Sequence, residues 1–153
     1  MDNQPLMVQA LADRIDATKR QVQIWTDAGA IVCRPETDRR GRGSQRLYDQ
    51  SEVPIAALVA MMARFMLPIG WLSAGSRSIR NLLADKTGEH FGRSRDWFQA
   101  ALAGEFDSFI VLTPEPRDLG GSFVWVDHDK MATFVNSRAG VAVINVRTVV
   151  SNL

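Results

Sequence analysis

Arg39, Arg40, Arg42 and Arg46 fall within one stretch, Asp38 to Asp49, DRRGRGSQRLYD, with Gly41 and Gly43 between them and Tyr48 just beyond. A guanidinium is a planar fork of N–H donors that fits phosphate oxygens two at a time, so such a cluster suits an anionic backbone. The stretch alone is compatible with a phosphate-cradling loop, a disordered basic tail, or a basic loop held against a folded body. The first is disfavoured, because GRG lacks the Gly-Lys-Ser/Thr ending and the strand-to-helix setting of a phosphate loop. A nuclear-localisation role for the arginines finds no support elsewhere in the chain.

Upstream lies a second group of polar donors, Thr18, Lys19, Arg20 and Gln23, followed by Trp25. From Arg14 to Tyr48 there are eight lysines and arginines against four acidic residues, although the whole chain carries a net charge of only +1. A concentrated excess of this kind is the footprint expected where phosphates are met, and also that of a solvated loop.

Other chemistry is poorly supported. Asp127, His128 and Asp129 are adjacent, but a helix cap explains them better than a catalytic cluster. One cysteine, Cys33, and two histidines, His90 and His128, make no convincing metal site. No nucleophile motif with a plausible base is present, so neither an enzyme nor a cofactor is expected. The 153 residues, 46% hydrophobic and 23% charged, describe a soluble globular chain of one ordinary domain or two small ones. Without a long uncharged apolar run, no membrane-spanning helix is expected. The N-terminus does not read as a secretory signal, and Cys33 can form no internal disulfide. The expected setting is therefore the cytoplasm.

The elements that must position the basic groups follow from periodicity. Val8, Leu11, Ala12 and Ile15 have helical spacing, RIDAT interrupts it, and Thr18 can cap a second helix with Val22, Ile24 and Trp25 on its apolar side. Gly29 ends that helix. Two helices joined so closely must cross steeply, as in a helix-turn-helix. AIVCRP suits a strand and RLYD its return strand, which makes the arginines the tip of a hairpin. Asp49 or Ser51 caps the next helix, with Pro54 in its first turn and a stripe of Ile55, Leu58, Val59, Met62, Phe65 and Met66. LPIG breaks it, and Leu72, Ile79, Leu82 and Leu83 mark another helix. Ser94 starts one more, with Trp97, Phe98, Ala101 and Leu102 inside.

The last third changes period. FDSFIVLTP and GSFVWVDH are β-type runs, Asp127 or Asp129 caps a short helix holding Met131, Phe134 and Val135, and GVAVINVRTVV reads as a strand apolar on both faces. The sum is an α+β chain with an N-terminal domain of residues 1–84 and a small strand–strand–helix–strand domain of residues 85–153, a candidate for dimerisation or ligand sensing.

The order of helix-turn-helix, basic hairpin and capped apolar helix resembles the DNA-binding domain of MerR-type transcription regulators. It can be followed through VQALADRIDATKRQVQIWTDAGAI, Val8 to Ile31, and again at QRLYD, Gln45 to Asp49. Leu11 and Ala12 stand at the family's Leu-Ala, Thr18 at its Ser, Arg20 at its arginine, Ile24 and Trp25 at its aromatic pair, and Gly29 at its terminal glycine. Thr26 replaces the family's glutamate, and no sustained heptad follows Phe65.

The resemblance implies a winged helix-turn-helix that binds double-stranded DNA as a homodimer, with RNA polymerase as a further partner and a place in the nucleoid. Arg20 and Gln23 would read bases, because Arg fits guanine and Gln fits adenine bidentately. Lys19, Trp25, Arg39, Arg40, Arg42 and Arg46 would hold phosphates, with Thr18 at the start of the recognition helix and Tyr48 anchoring the returning strand. Trp25 is equally readable as a core residue, whereas a plain surface-arginine reading of Arg20 and Arg46 is the less favoured one given their motif positions. The alternative function is an architectural, recombination or packaging accessory protein of excisionase type. A third is a protein-interaction module that has lost DNA binding.

Overall fold

The computed structural model describes residues 4–38, 45–84, 92–114, 121–136 and 141–153. The chain is α+β and divides into two compact units, Met1–Arg77 and Ser78–Asn152. The division falls earlier than the 84/85 boundary expected from composition, within helix α4 (Ile69–Leu83). Among the described residues no helix is long and apolar enough to cross a membrane.

The first unit begins with strand β1 (Leu6–Met7), then helices α1 (Val8–Arg14) and α2 (Lys19–Asp27). Leu11, Ala12 and Ile15 bury one side of α1 and its C-cap. The helix stops because Asp16 turns left-handed, φ 51°, and Ala17 N–H bonds back to the Ala12 carbonyl at 2.9 Å. Thr18 then caps α2 as expected. Gly29, φ 74°, closes it, with Ala30 N–H on the Trp25 carbonyl at 2.8 Å and Gly29 N–H on that of Thr26 at 3.0 Å. Both reversals satisfy helix-end carbonyls, and the first makes the short turn between α1 and α2 of a helix-turn-helix.

The expected hairpin is replaced by a different arrangement. Residues 30–34 form no strand, and Pro35–Thr37 is a turn of 3-10 helix. Proline fixes φ and supplies no N–H for a ladder, and Val32 N–H is taken by the Glu52 carboxylate at 2.9 Å. RLYD does supply a strand, β2 (Leu47–Tyr48), but its antiparallel partner is β1, with Leu6 opposite Tyr48 and Met7 opposite Leu47. A short clasp links the two flanks of the basic segment. Arg34 N–H donates to the Leu47 carbonyl at 2.7 Å, Leu47 N–H to Thr37 Oγ1 at 3.0 Å, and Thr37 Oγ1 to the Arg34 carbonyl at 2.8 Å. The expected tip at Gly41 and Gly43 lies outside the described residues.

Helix α3 (Glu52–Arg64) has Ser51 as its N-cap, without a side-chain cap bond, and Ile55, Leu58, Val59 and Met62 buried. The stripe does not extend to Phe65 and Met66. The helix ends at Arg64, Met66 is left-handed at φ 58° and 90% exposed, and Pro68 disfavours helix at the residue before it. Further along the chain, α4 buries Leu72, Ile79 and Leu82.

In the second unit α5 (Arg95–Leu102) follows Ser94 and buries Phe98 and Ala101. Strands β3 (Ser108–Pro114), β4 (Gly121–Asp127) and β5 (Ala142–Asn145) form an antiparallel sheet in the order β4–β3–β5. Its core includes Ile110, Leu112 and Trp125, whose indole N–H donates to Ser108 Oγ at 3.0 Å. Asp127 caps α6 (His128–Asn136) by accepting from Lys130 N–H at 3.1 Å. The strand–strand–helix–strand order is as expected, but the last strand is not continuous to Val150. Asn145 Oδ1 accepts from Thr148 N–H at 3.2 Å and starts a helix, α7 (Val146–Val150), in which Val146 and Val149 are buried. A capping Asn diverts an otherwise β-rich run, because its side chain supplies the first turn with an acceptor.

Candidate nucleic-acid interface

Helix α2 is two-sided. Val22, Trp25 and Thr26 are buried, whereas Lys19, Arg20, Gln23, Ile24 and Asp27 are exposed. Residues 20, 23, 24 and 27 follow the i, i+3, i+4, i+7 spacing of one helix face, with Lys19 one turn before Gln23. Ile24, 48% exposed, therefore lies on the open side and not on the apolar side assigned to it from sequence.

The first turn is held by Thr18. Its hydroxyl accepts from Gln21 N–H at 3.2 Å and its backbone N–H donates to Gln21 Oε1 at 2.8 Å, a reciprocal capping box. The Thr18 hydroxyl proton also goes to Gln21 Oε1, at 2.9 Å. Thr18 thus positions the helix start with a hydroxyl already engaged. Lys19, Arg20 and Gln23 make no side-chain hydrogen bond or ion pair among the described residues. They stand at the N-terminal half of α2, where the helix dipole adds partial positive charge.

Four other arginines of this unit, Arg14, Arg34, Arg46 and Arg64, are held by partners. Arg34 Nη2 meets Asp49 at 2.7 Å, Arg64 pairs with Asp16, and Arg14 Nη1 donates to Gln50 Oε1 at 2.8 Å. Arg46 is held most closely, with its side chain only 14% exposed. Its Nη2 lies 2.7 Å from Asp27 Oδ1 and its Nε 3.0 Å from Asp38 Oδ1. Burial alone would lower the pKa of this guanidinium, but the hydrogen bond and charge of Asp27, with the charge of Asp38, outweigh it and raise the value.

Three residues assigned to DNA from sequence have burial or partners inside the fold. Trp25, 5% exposed, is a core residue, because it shares the buried face of α2 with Val22 and Thr26. Tyr48 is fully buried, with its hydroxyl 3.0 Å from Thr26 Oγ1, so it anchors β2 and offers nothing to a phosphate. Arg46 is engaged by two aspartates and is not a free cation. Arg39, Arg40 and Arg42 lie outside the described residues.

Sequence reasoning missed Asp27 and Asp38 as partners of Arg46, and Glu52 as the acceptor for Val32 N–H. Their charge alone names no partner, and only the fold brings each to its own. For Trp25 the signal was present, since Val22, Trp25 and Thr26 have the spacing of one helix face. The chain matches no protein-family model and no curated protein sequence, so α2 and its surroundings carry the functional reading alone.

Proposed function

We propose that the chain is a sequence-specific DNA-binding transcription regulator that places α2 in the major groove and binds operator DNA as a dimer. One observation carries the reading. The second helix of a helix-turn-helix exposes Lys19, Arg20 and Gln23, which have no side-chain partner among the described residues, on the side opposite its buried face. The N-terminal part of such a helix is what reaches base edges in this class of domain.

Arg20 is the candidate for a bidentate contact with guanine, and Gln23 for one with adenine. Lys19, a flexible point charge, is suited to a phosphate. Thr18 acts through the helix start it caps. Arg39, Arg40 and Arg42 add positive charge next in the chain, where they would follow the DNA backbone. A symmetric dimer would read two half-sites, so a palindromic or repeated operator follows.

Selection of duplexes from a random library by the full chain, followed by binding titrations over a range of salt, tests this directly. The proposal expects an enriched motif and an affinity that falls as salt rises, because phosphate contacts release counterions. Enrichment of no sequence together with salt-independent affinity would sink it and favour a protein-interaction module. Weak discrimination with strong bending of the duplex would instead mark an architectural, excisionase-like protein.

A further inference from the structure

We infer that Arg46 is a positioning residue of the DNA-binding surface, a clamp that fixes the start of the basic segment against α2, and not itself a phosphate contact. The inference rests on the DNA-binding reading above and deepens it. Arg46 spans two elements. Asp27 is the last residue of α2, at the end of the exposed face that carries Arg20, Gln23 and Ile24. Asp38 directly follows the Pro35–Thr37 turn and is the residue from which the chain enters the segment 39–44.

One planar guanidinium engages both carboxylates through different nitrogens, Nη2 at 2.7 Å and Nε at 3.0 Å. Arginine holds the two acceptors at fixed angles through one rigid plane, which a lysine ammonium, a rotatable point charge, does not. The side chain is far more enclosed than its partners, 14% exposed against 52% for Asp27 and 53% for Asp38. A surface ion pair contributes little, but an enclosed cation with two carboxylates is a fixed joint.

Turning Arg46 outward to a phosphate would break both bonds. It would also leave Asp27 and Asp38 uncompensated beside an anionic backbone. In place, the arginine ties Asp38 to the end of α2 and neutralises the one acidic group on the exposed face of that helix. The neighbouring clasp of Arg34, Thr37 and Leu47 fixes the same two flanks through backbone bonds, so the joint has a rigid base.

The test is a mutant cycle in the full chain, using a duplex enriched from the random library and titrated where circular dichroism shows every variant folded. The variants are Asp38→Asn, Asp27→Asn, Arg46→Ala and the Asp38→Asn/Arg46→Ala double, with Arg46→Lys in place of Arg46→Ala if the latter does not fold. Each asparagine variant makes the protein more positive, which by charge alone would tighten binding. The clamp expects Asp38→Asn and Asp27→Asn to weaken it, on the order of tenfold, and the double variant to bind no worse than Arg46→Ala. Tighter binding by Asp38→Asn would show Arg46 released to a phosphate and overturn the inference. Unchanged affinity, or additive losses in the double variant, would overturn it as well. Failure of the native chain to bind any duplex would instead remove the DNA-binding reading itself.

Discussion

Thr26 and Tyr48 meet hydroxyl to hydroxyl in the core of the first unit, 3.0 Å apart. Thr26 Oγ1 also donates to the Val22 carbonyl at 2.7 Å, so its single proton is committed and Tyr48 is the donor between the two hydroxyls. The bond ties β2 to the buried face of α2. Thr26→Val keeps the shape but leaves a buried phenol O–H without its acceptor, at a cost of about 1–3 kcal/mol. Tyr48→Phe removes only the donor and leaves Thr26 bonded to Val22, at a cost of about 0.5–1.5 kcal/mol. Urea unfolding of both variants checks the ranking, and the reverse order would mean that Thr26 donates to Tyr48.

Burial also pushes the Tyr48 phenol above its ordinary value of 10.0, and the Cys33 thiol above 9.0, the latter aided by Asp38 and opposed by Arg46. Both groups bind their proton more tightly folded than unfolded. The stability this supplies is complete below the ordinary values and is lost as pH rises through the higher folded ones. Alkaline pH should therefore destabilise the first unit. Tyr48 is the only tyrosine in the chain, so tyrosinate absorbance reports on it alone. It should rise together with the loss of helical circular dichroism, and a tyrosinate signal at the ordinary value with the helices intact would contradict the argument.

What could be read from the sequence was local. The α1–α2 turn, the Thr18 cap, the Gly29 stop and the Asp127 cap each depend on a few consecutive residues, and each is found. What was misread depends on partners far along the chain. RLYD has strand character, but nothing local says that it pairs with Leu6 and Met7 and not with AIVCRP. Apolar alternation likewise continues through Val146 and Val150, and a single Asn145 side chain diverts it into helix. The candidate site divides in the same way. That Lys19, Arg20 and Gln23 lie on the exposed side of α2 was legible from helical spacing, whereas the pairing of Arg46 with Asp27 and Asp38 required the fold.

The capping box makes Thr18 a stability determinant first. Thr18→Ala should cost about 1 kcal/mol, the usual value for losing an N-cap hydroxyl. Thr18→Ser, which retains the acceptor, should remain close to the native chain. Because α2 is only nine residues long, fraying its first turn would also misplace Lys19 and Arg20, so Thr18→Ala should weaken binding to all sequences alike. Thermal melts paired with the library selection decide the point. An altered base preference in Thr18→Ala at unchanged stability would make Thr18 a reader instead.

Arg20 and Lys19 are neighbours on α2 with different expected duties, and among the described residues neither has an ion-pair partner whose loss would complicate a substitution. Arg20→Ala should cost about 1–3 kcal/mol on the preferred duplex and much less on others, because a bidentate contact with guanine discriminates between bases. Lys19→Ala should weaken every duplex to a similar extent and reduce the slope of log affinity against log salt by about 0.9, the share of one phosphate contact. Both variants should fold with stability within about 0.5 kcal/mol of the native chain, since neither side chain is buried. Titrations on the selected duplex and on a scrambled one, at several salt concentrations, separate the two effects. A uniform loss with a reduced slope for Arg20→Ala, and a sequence-dependent loss for Lys19→Ala, would reverse the assignment of reader and anchor.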